Sequence, residues 1–253
     1  MTELAALLFD VDGTLADTER DGHRPAFNRA FAEAGLDWEW SPELYGELLA
    51  VTGGKERIRY YLERFNTGFR YDDDLDALIA NLHKLKTKHY TQLLAEGAIP
   101  LRPGVKRLIT EARAAGLRLA VATTTTPENV TALLQHALHP EAVSWFEVIA
   151  AGDVVPAKKP DPGIYRYAME KMGLAPAQCM AFEDSRNGIL SSRGADLKTI
   201  IAVNGYTRDD DFSGAAIVVD HWGEPEQPFT VLAGNAAGYS YLSLDLVRAL
   251  HGA

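Results

Sequence analysis

Beyond residue 104 the chain alternates between two hydrophobic periods, and this restricts the fold more than any other feature. Short apolar runs at 117–122, 147–151, 180–182, 199–203 and 216–219 have the length of buried strands. Between them, 105–115, 127–138, 163–172 and 185–193 carry apolar residues at helical spacing. Strands that alternate with helices predict a parallel sheet with crossover helices on both faces. A further apolar run, 4–9, has the same strand character but lies far upstream. We expect it to join that sheet, giving an α/β doubly wound core.

The intervening residues, 18–95, contain helical patterns and no strong strand. Phe27 and Phe31 share one face of a helix at 24–34, which Gly35 can terminate. Ser41-Pro42-Glu43 starts a second helix, with Ser41 as N-cap and Pro42 at the first helical position. Thr52-Gly53-Gly54-Lys55 predicts a flexible connection. Ile58, Tyr61, Leu62 and Phe65 mark a third helix, and Leu75, Leu78, Ile79, Leu82 and Leu85 a fourth over about 74–94. An all-helical block between the first strand and the rest of the sheet is an inserted cap. The expected division is core 1–17, helical cap 18–95, and core 96–253. Leu101-Arg102-Pro103-Gly104 punctuates the end of the block. The final stretch, 228–253, has a glycine-rich middle and an amphipathic end, and no function is assigned to it.

Composition excludes several classes. A 47% hydrophobic and 24% charged content is ordinary for a soluble globular protein. The lone Cys179 permits no internal disulfide, so a reducing compartment and a cytoplasmic location are expected. No stretch approaches the ~20 apolar residues of a membrane span. No basic segment of an export signal precedes the first strand. A formal charge of −10 argues against a nucleic-acid partner. An anionic small molecule is compatible with it where a local cationic patch overcomes the overall field. A monomer is expected.

Four positions at expected strand ends carry chemistry: Asp10 with Asp12, Thr123, Lys159, and Glu183 with Asp184. In an open parallel sheet they converge on one edge. Two carboxylates one residue apart repel each other and lose solvation, so a cation must hold them. Asp10 is the candidate nucleophile toward phosphorus. Asp12 is the candidate acid/base for the leaving group and the attacking water. Asp10 and Asp184 offer hard oxygen ligands for Mg²⁺. At ~4 Å and an effective dielectric near 20, two like charges cost roughly 4 kcal/mol, so attack on a phosphate needs that cation. Lys159 adds a second positive charge, and the Thr123 hydroxyl can bind a phosphate oxygen, with Thr124 and Thr125 beside it. In the cap, Lys55, Arg57 and Lys86 are candidate cations for a distal phosphate, Gly53 and Gly54 are further candidate substrate contacts, and Glu19 is a candidate for a sugar hydroxyl. Each has a plainer counterpart. Asp-x-Asp-Gly is also a turn sequence, Thr126 before Pro127 is a good N-cap, and lysines are usually solvated surface charges.

Taken together, Asp10-Val11-Asp12-Gly13-Thr14-Leu15, Thr123 after an apolar strand, Lys159-Pro160 and Glu183-Asp184 resemble the four motifs of the haloacid dehalogenase superfamily. They stand in that family's order and span the whole chain. The resemblance implies a Rossmann-like core with a small mobile cap and hydrolysis through an aspartyl phosphate. It also implies that the Asp12 backbone carbonyl ligates Mg²⁺ and that Glu183 acts through water, so the implied metal set is Asp10, Asp12, Glu183 and Asp184. Within the superfamily, Ala16-Asp17-Thr18-Glu19, Val51-Thr52-Gly53-Gly54-Lys55-Glu56-Arg57 and Lys86-Thr87-Lys88-His89-Tyr90 resemble the Calvin-cycle-associated sugar-bisphosphate phosphatases of the xylulose-1,5-bisphosphate type. The implied substrate is a sugar bisphosphate, with a pentulose bisphosphate favoured. Two alternatives stay open. The related β-phosphoglucomutases carry a cap histidine and a lysine where this chain has Gly22 and Thr126, with His23 displaced by one residue. Phospho-accepting receiver modules also place acids, a Ser/Thr and a Lys on a doubly wound sheet, but without a cap or a nucleophile on the first strand.

Overall fold

A computed structural model describes residues 2–253. The chain forms two compact units, Met1–Asp17 with Pro100–Ala253, and Thr18–Ile99. In the first, strand β1 (Ala6–Phe9) buries every side chain. A strand covered on both faces is apolar at successive positions, which is why 4–9 is an unbroken hydrophobic run.

The second unit is helical throughout its regular elements. A π-helical turn, Glu19–His23, leads directly into α1 (Arg24–Glu33). Helix α2 (Pro42–Leu48) is capped by the Ser41 hydroxyl, which accepts from Leu44 N–H. Helix α3 spans Gly54–Arg64, and α4 spans Leu75–Ala95 with the Asp74 carboxylate accepting from Asp76 and Ala77 N–H. The expected flexible connection is shorter than the sequence suggests: Gly53 is the N-cap of α3 and Gly54 its first residue. A glycine is needed at that first position because its bare Cα faces the His83 ring, 2.6 Å from where a Cβ would lie. The unit's core is aromatic. Fully buried Trp40 has the rings of Phe27, Phe31 and Tyr61 at 4.6, 4.9 and 5.4 Å between centroids.

The first unit resumes with α5 (Val105–Ala114), β2 (Arg118–Ala122), α6 (Pro127–Leu133) and β3 (Val148–Ala150). It continues with α7 (Gly163–Met172), β4 (Cys179–Glu183), α8 (Arg186–Gly194), β5 (Lys198–Ala202) and β6 (Ile217–Val219). It ends with β7 (Val231–Gly234) and α9 (Leu244–Gly252). The sheet has the order β3-β2-β1-β4-β5-β6-β7 and is parallel except for β7, which runs antiparallel to β6. The helix expected over 127–138 is α-helical to Leu133 and then widens into a π-helical turn, Leu134–Leu138. Strand β7 has no counterpart in the sequence reading. All its residues are exposed at the sheet edge, so no buried face imposes an alternating pattern on Val231-Leu232-Ala233-Gly234.

One face of the sheet is covered by α7, whose Ile164, Tyr165, Ala168 and Met169 pack with Leu8, Ala120 and Ala181. On the other side of β1, Phe9 stacks on Phe182 at 4.7 Å, and Trp222 lies 5.9 and 5.1 Å from the two rings. No described helix is long and apolar enough to cross a membrane.

Candidate active site

Sheet register assembles the site. Phe9 is level with Val121 on one side and Phe182 on the other. The residues that follow them, Asp10, Ala122 with Thr123, and Glu183 with Asp184, therefore reach the carboxyl edge together. Main-chain bonds fix the exit of two of these strands: Asp10 N–H donates to Phe182 C=O at 3.0 Å and Thr123 N–H to Ala150 C=O at 2.9 Å. The order of the strands reverses between β1 and β4, the position where open α/β sheets form a crevice.

Lys159 enters from the segment between β3 and α7. Its Nζ donates to Asp10 Oδ1 at 2.7 Å and to Glu183 Oε1 at 2.6 Å. The Tyr165 hydroxyl donates to the same Glu183 oxygen at 2.5 Å. Thr14 Oγ1 donates to Asp10 Oδ2 at 3.1 Å and lies 3.4 Å from Asp184 Oδ1. Asn204 Nδ2 donates to Asp184 Oδ2 at 2.6 Å. The remaining Glu183 oxygen, Oε2, is buried without a hydrogen-bond partner at the start of α8, where a side chain on Gly188 would begin only 1.9 Å away. A helix N-terminus favours a carboxylate there.

The charges do not balance. Asp10, Glu183 and Asp184 are all buried and offer one oxygen each within 4.8 Å of one another. The three carboxylates share the Lys159 ammonium, and the buried Arg102 guanidinium offsets only part of the remainder at Asp184. Burial pushes Asp10 up to about 7, with Lys159 pulling against it and Glu183 reinforcing it. Asp184 stands well above the ordinary carboxylate range, by burial first and then by Asp10 and Glu183. For Lys159, burial works against the charge, but the two carboxylates outweigh it and raise the ammonium's pKa. A buried deficit of positive charge among hard oxygen donors is what a divalent cation satisfies. These residues therefore fit a metal ion.

The other expected site residues divide. Thr123 is buried, and its hydroxyl accepts from Thr125 N–H at 3.4 Å. The Thr125 hydroxyl accepts from Asn129 Nδ2 at 2.8 Å, and Thr126 caps α6, so part of this cluster serves the helix. Thr124 is half-buried beside them. Asp12 is half-buried and bridges to Ala16 through its backbone; its carboxylate is not part of the metal-holding group among the described residues. The role that resemblance gives Asp12 toward the metal uses its carbonyl instead. Glu183, for which the resemblance implies action through water, is paired directly with Lys159.

In the helical unit, Glu19 accepts from the Tyr45 hydroxyl and pairs with Arg57 at 3.4 Å, while Arg57 also donates to Tyr45 Oη at 2.7 Å. Lys86 is buried with its Nζ 5.4 and 5.2 Å from the Phe27 and Tyr90 ring centres. Lys55 is exposed on the first turn of α3.

Four contributors escape the sequence reading: Thr14, Tyr165, Asn204 and Arg102. Thr14 lies inside the first motif. Asn204 stands just past the end of β5, so the strand-end argument that selects Thr123 and Glu183 selects it too. Tyr165 sits within the apolar face of α7 and carries only a core signal. Arg102 belongs to a segment that reads as loop punctuation.

Comparison with known proteins agrees with this geometry. Residues 4–196 match the family model for haloacid dehalogenase-like hydrolases. Protein CbbY of Rhodobacter capsulatus is 53% identical over 84% of this chain and 91% of its own. The plasmid-encoded CbbY of Cupriavidus necator is 43% identical over 98% of this chain and 97% of its own. Crystal structures of CbbY from Rhodobacter sphaeroides, with phosphate and, for a mutant, with xylulose-(1,5)bisphosphate, superpose with a TM-score of 0.80 at 48% identity. They cover 87% of this chain and 96% of theirs.

Proposed function

The chain belongs to the haloacid dehalogenase-like hydrolases and is a phosphatase enzyme of that family, and from that premise we propose that it hydrolyses a sugar bisphosphate, a pentulose 1,5-bisphosphate above others, with Mg²⁺ as cofactor. The observation that carries the chemistry is the buried set of Asp10, Glu183 and Asp184 compensated only in part by Lys159. The substrate class is supported by the xylulose-(1,5)bisphosphate complex of the R. sphaeroides relative.

In this reading Asp10 attacks phosphorus. The bond from phosphorus to the sugar oxygen breaks as one forms to the carboxylate, and Asp12 delivers a proton to the departing oxygen. Water then attacks the aspartyl phosphate, gives its proton to Asp12, and releases phosphate and Asp10. Lys159 holds Asp10 Oδ1, which fixes the carboxylate's rotamer before attack. Thr123 supplies a hydroxyl for a phosphate oxygen. When bound by Asp10, Asp184 and the Asp12 carbonyl, Mg²⁺ would screen carboxylate from phosphate and stabilise charge on the transferring oxygens. Lys86 and Lys55 are assigned to the second phosphate and Glu19 to a sugar hydroxyl.

The test is a phosphate-release screen over pentose and hexose mono- and bisphosphates with Mg²⁺. A pentulose bisphosphate should give the highest kcat/KM. Better hydrolysis of monophosphates overturns the bisphosphate assignment. A persistent phospho-aspartate without multiple turnover points to the signalling alternative, and conversion of a hexose 1-phosphate to the 6-phosphate points to a mutase.

A further inference from the structure

We propose that Arg102 and Asn204 together form a positioning device for the Asp184 carboxylate, and that this device sets how tightly the acidic cluster holds its metal; the proposal rests on the metal-site reading given above. Arg102 is buried, and its guanidinium is turned toward backbone carbonyls. Its Nη1 donates to the carbonyls of Gly13 and Ala202, the latter at 2.9 Å. Its Nη2 donates to the carbonyls of Val203 at 2.5 Å and Asp220 at 2.7 Å. Asp17 Oδ1 lies 3.6 Å from its Nε. One planar group with five donors therefore ties together the chain beyond β1, the end of β5 and the end of β6.

Two of those tied segments form the walls around Asp184. Gly13, at φ +87°, comes so close that a Cβ would lie 2.2 Å from Asp184 Oδ2 and 2.6 Å from Asn204 Nδ2. Asn204 follows Val203 directly, and its Nδ2 donates to that same Asp184 oxygen at 2.6 Å. The orientation of the Asn204 amide is fixed from its other end, because its Oδ1 accepts from Tyr206 N–H at 2.8 Å and its own N–H donates to Thr207 Oγ1 at 3.1 Å. Asp184 Oδ2 is thus occupied by the protein, and Oδ1 faces Thr14 on the Asp10 side. Arg102 also anchors the places where the chain leaves and re-enters this unit. Its N–H donates to Leu15 C=O at 2.9 Å, and Ala16 bridges to Leu101. Gly13 and Asn204 both meet Asp184 Oδ2, so the influence of Arg102 and Asn204 converges on that carboxylate.

The experiment is Mn²⁺ binding to the substrate-free protein at 20 °C, followed by the EPR signal of free Mn²⁺. Asn204→Ala and Arg102→Lys should each weaken binding about tenfold or more, with the near-ultraviolet circular dichroism of the wild type retained. The double variant should bind no worse than the weaker single variant, since both act through one carboxylate. A merely structural role would lower the melting temperature and leave the dissociation constant at 20 °C unchanged. Wild-type affinity in Asn204→Ala, or losses that multiply in the double variant, overturns the proposal. If Arg102→Lys does not fold, Asn204→Ala decides by the same criterion. Wild-type protein that binds no Mn²⁺ removes the metal-site reading itself and the proposal with it.

Discussion

The two units bury charge in opposite ways. In the sheet unit the buried charges are chiefly acids at strand ends, with Lys159 shared between Asp10 and Glu183. In the helical unit the buried charges are cations among aromatic rings. Arg57 lies over Tyr45 at 5.1 Å, and Lys86 between Phe27 and Tyr90. The first arrangement lacks positive charge, and the second holds positive charge in weakly polar surroundings, where ring faces offset part of the lost hydration. The difference follows from the scaffold. A parallel sheet brings consecutive strand ends side by side, so acids from distant sequence positions meet whether or not they repel. Helices place a lysine only where its own turn and its packing partners put it. The sheet unit therefore creates a demand for a cation, while the helical unit keeps its cations buried against aromatic rings.

The strongest way to break this contrast is Asp10→Asn. It keeps the shape and the Thr14 contact but removes the nucleophile, and kcat should fall roughly ten-thousand-fold or more with an unchanged circular-dichroism spectrum. Phosphate release at a near-normal rate would mean that the acidic cluster is not the reacting centre. A smaller effect is expected in the helical unit. Lys86→Met keeps the length and the aromatic contacts and removes the charge. The KM for a sugar bisphosphate should rise about tenfold, the worth of a charged hydrogen bond of about 1.5 kcal/mol, while the KM for the corresponding monophosphate stays within about twofold. Equal increases for both substrates would assign Lys86 to packing alone.

The same contrast explains what the sequence makes legible. Strand ends announce themselves, because an unbroken apolar run such as 4–9 or 119–122 ends abruptly in Asp10 or Thr123. The α/β class and the acid cluster follow from that signal; the inserted helices follow from helical spacing, and Lys159, in the loop after β3, from its place before Pro160. Where no such boundary exists the signal fails. Tyr165 lies on the buried face of α7 and donates to Glu183, but a tyrosine at a core position looks the same whether or not its hydroxyl has a carboxylate partner. Arg102 gathers backbone carbonyls, which have no residue identity and leave no pattern. Asn204 follows the strand-end rule, but β5 carries no recognised motif to draw attention to it. Strand β7 is invisible because it buries nothing. In the helical unit Gly53-Gly54 suggests a flexible link, whereas α3 starts there against His83.

The smallest expected effect concerns the independence of the two units, and Cys179 provides the probe. It is the chain's lone cysteine, it lies on β4 in the sheet unit, and it is 1% exposed. Burial pushes its thiol up to about 11, with Arg118 pulling slightly the other way. A raised thiol pKa means that reactivity appears only as pH rises toward that value; at pH 8 about one thiol in a thousand is ionised while folded. Alkylation at pH 8 therefore reports opening of β4, which is hydrogen-bonded to β1 and β5 within its own unit. Trp40→Ala hollows the aromatic core of the helical unit and should cost that unit about 3–5 kcal/mol. If the helical unit opens on its own, iodoacetamide labelling of Cys179, followed by mass spectrometry, should stay within about twofold of the wild-type rate. If the chain unfolds as one cooperative block, a loss of that size transmits to β4 and labelling accelerates by about two orders of magnitude or more. We expect the first result, because every bond that holds β4 in the sheet is made to strands of the same unit. A large acceleration would show that packing lost around Trp40 is felt at the strand carrying Glu183, so that the two ways of burying charge share one stability.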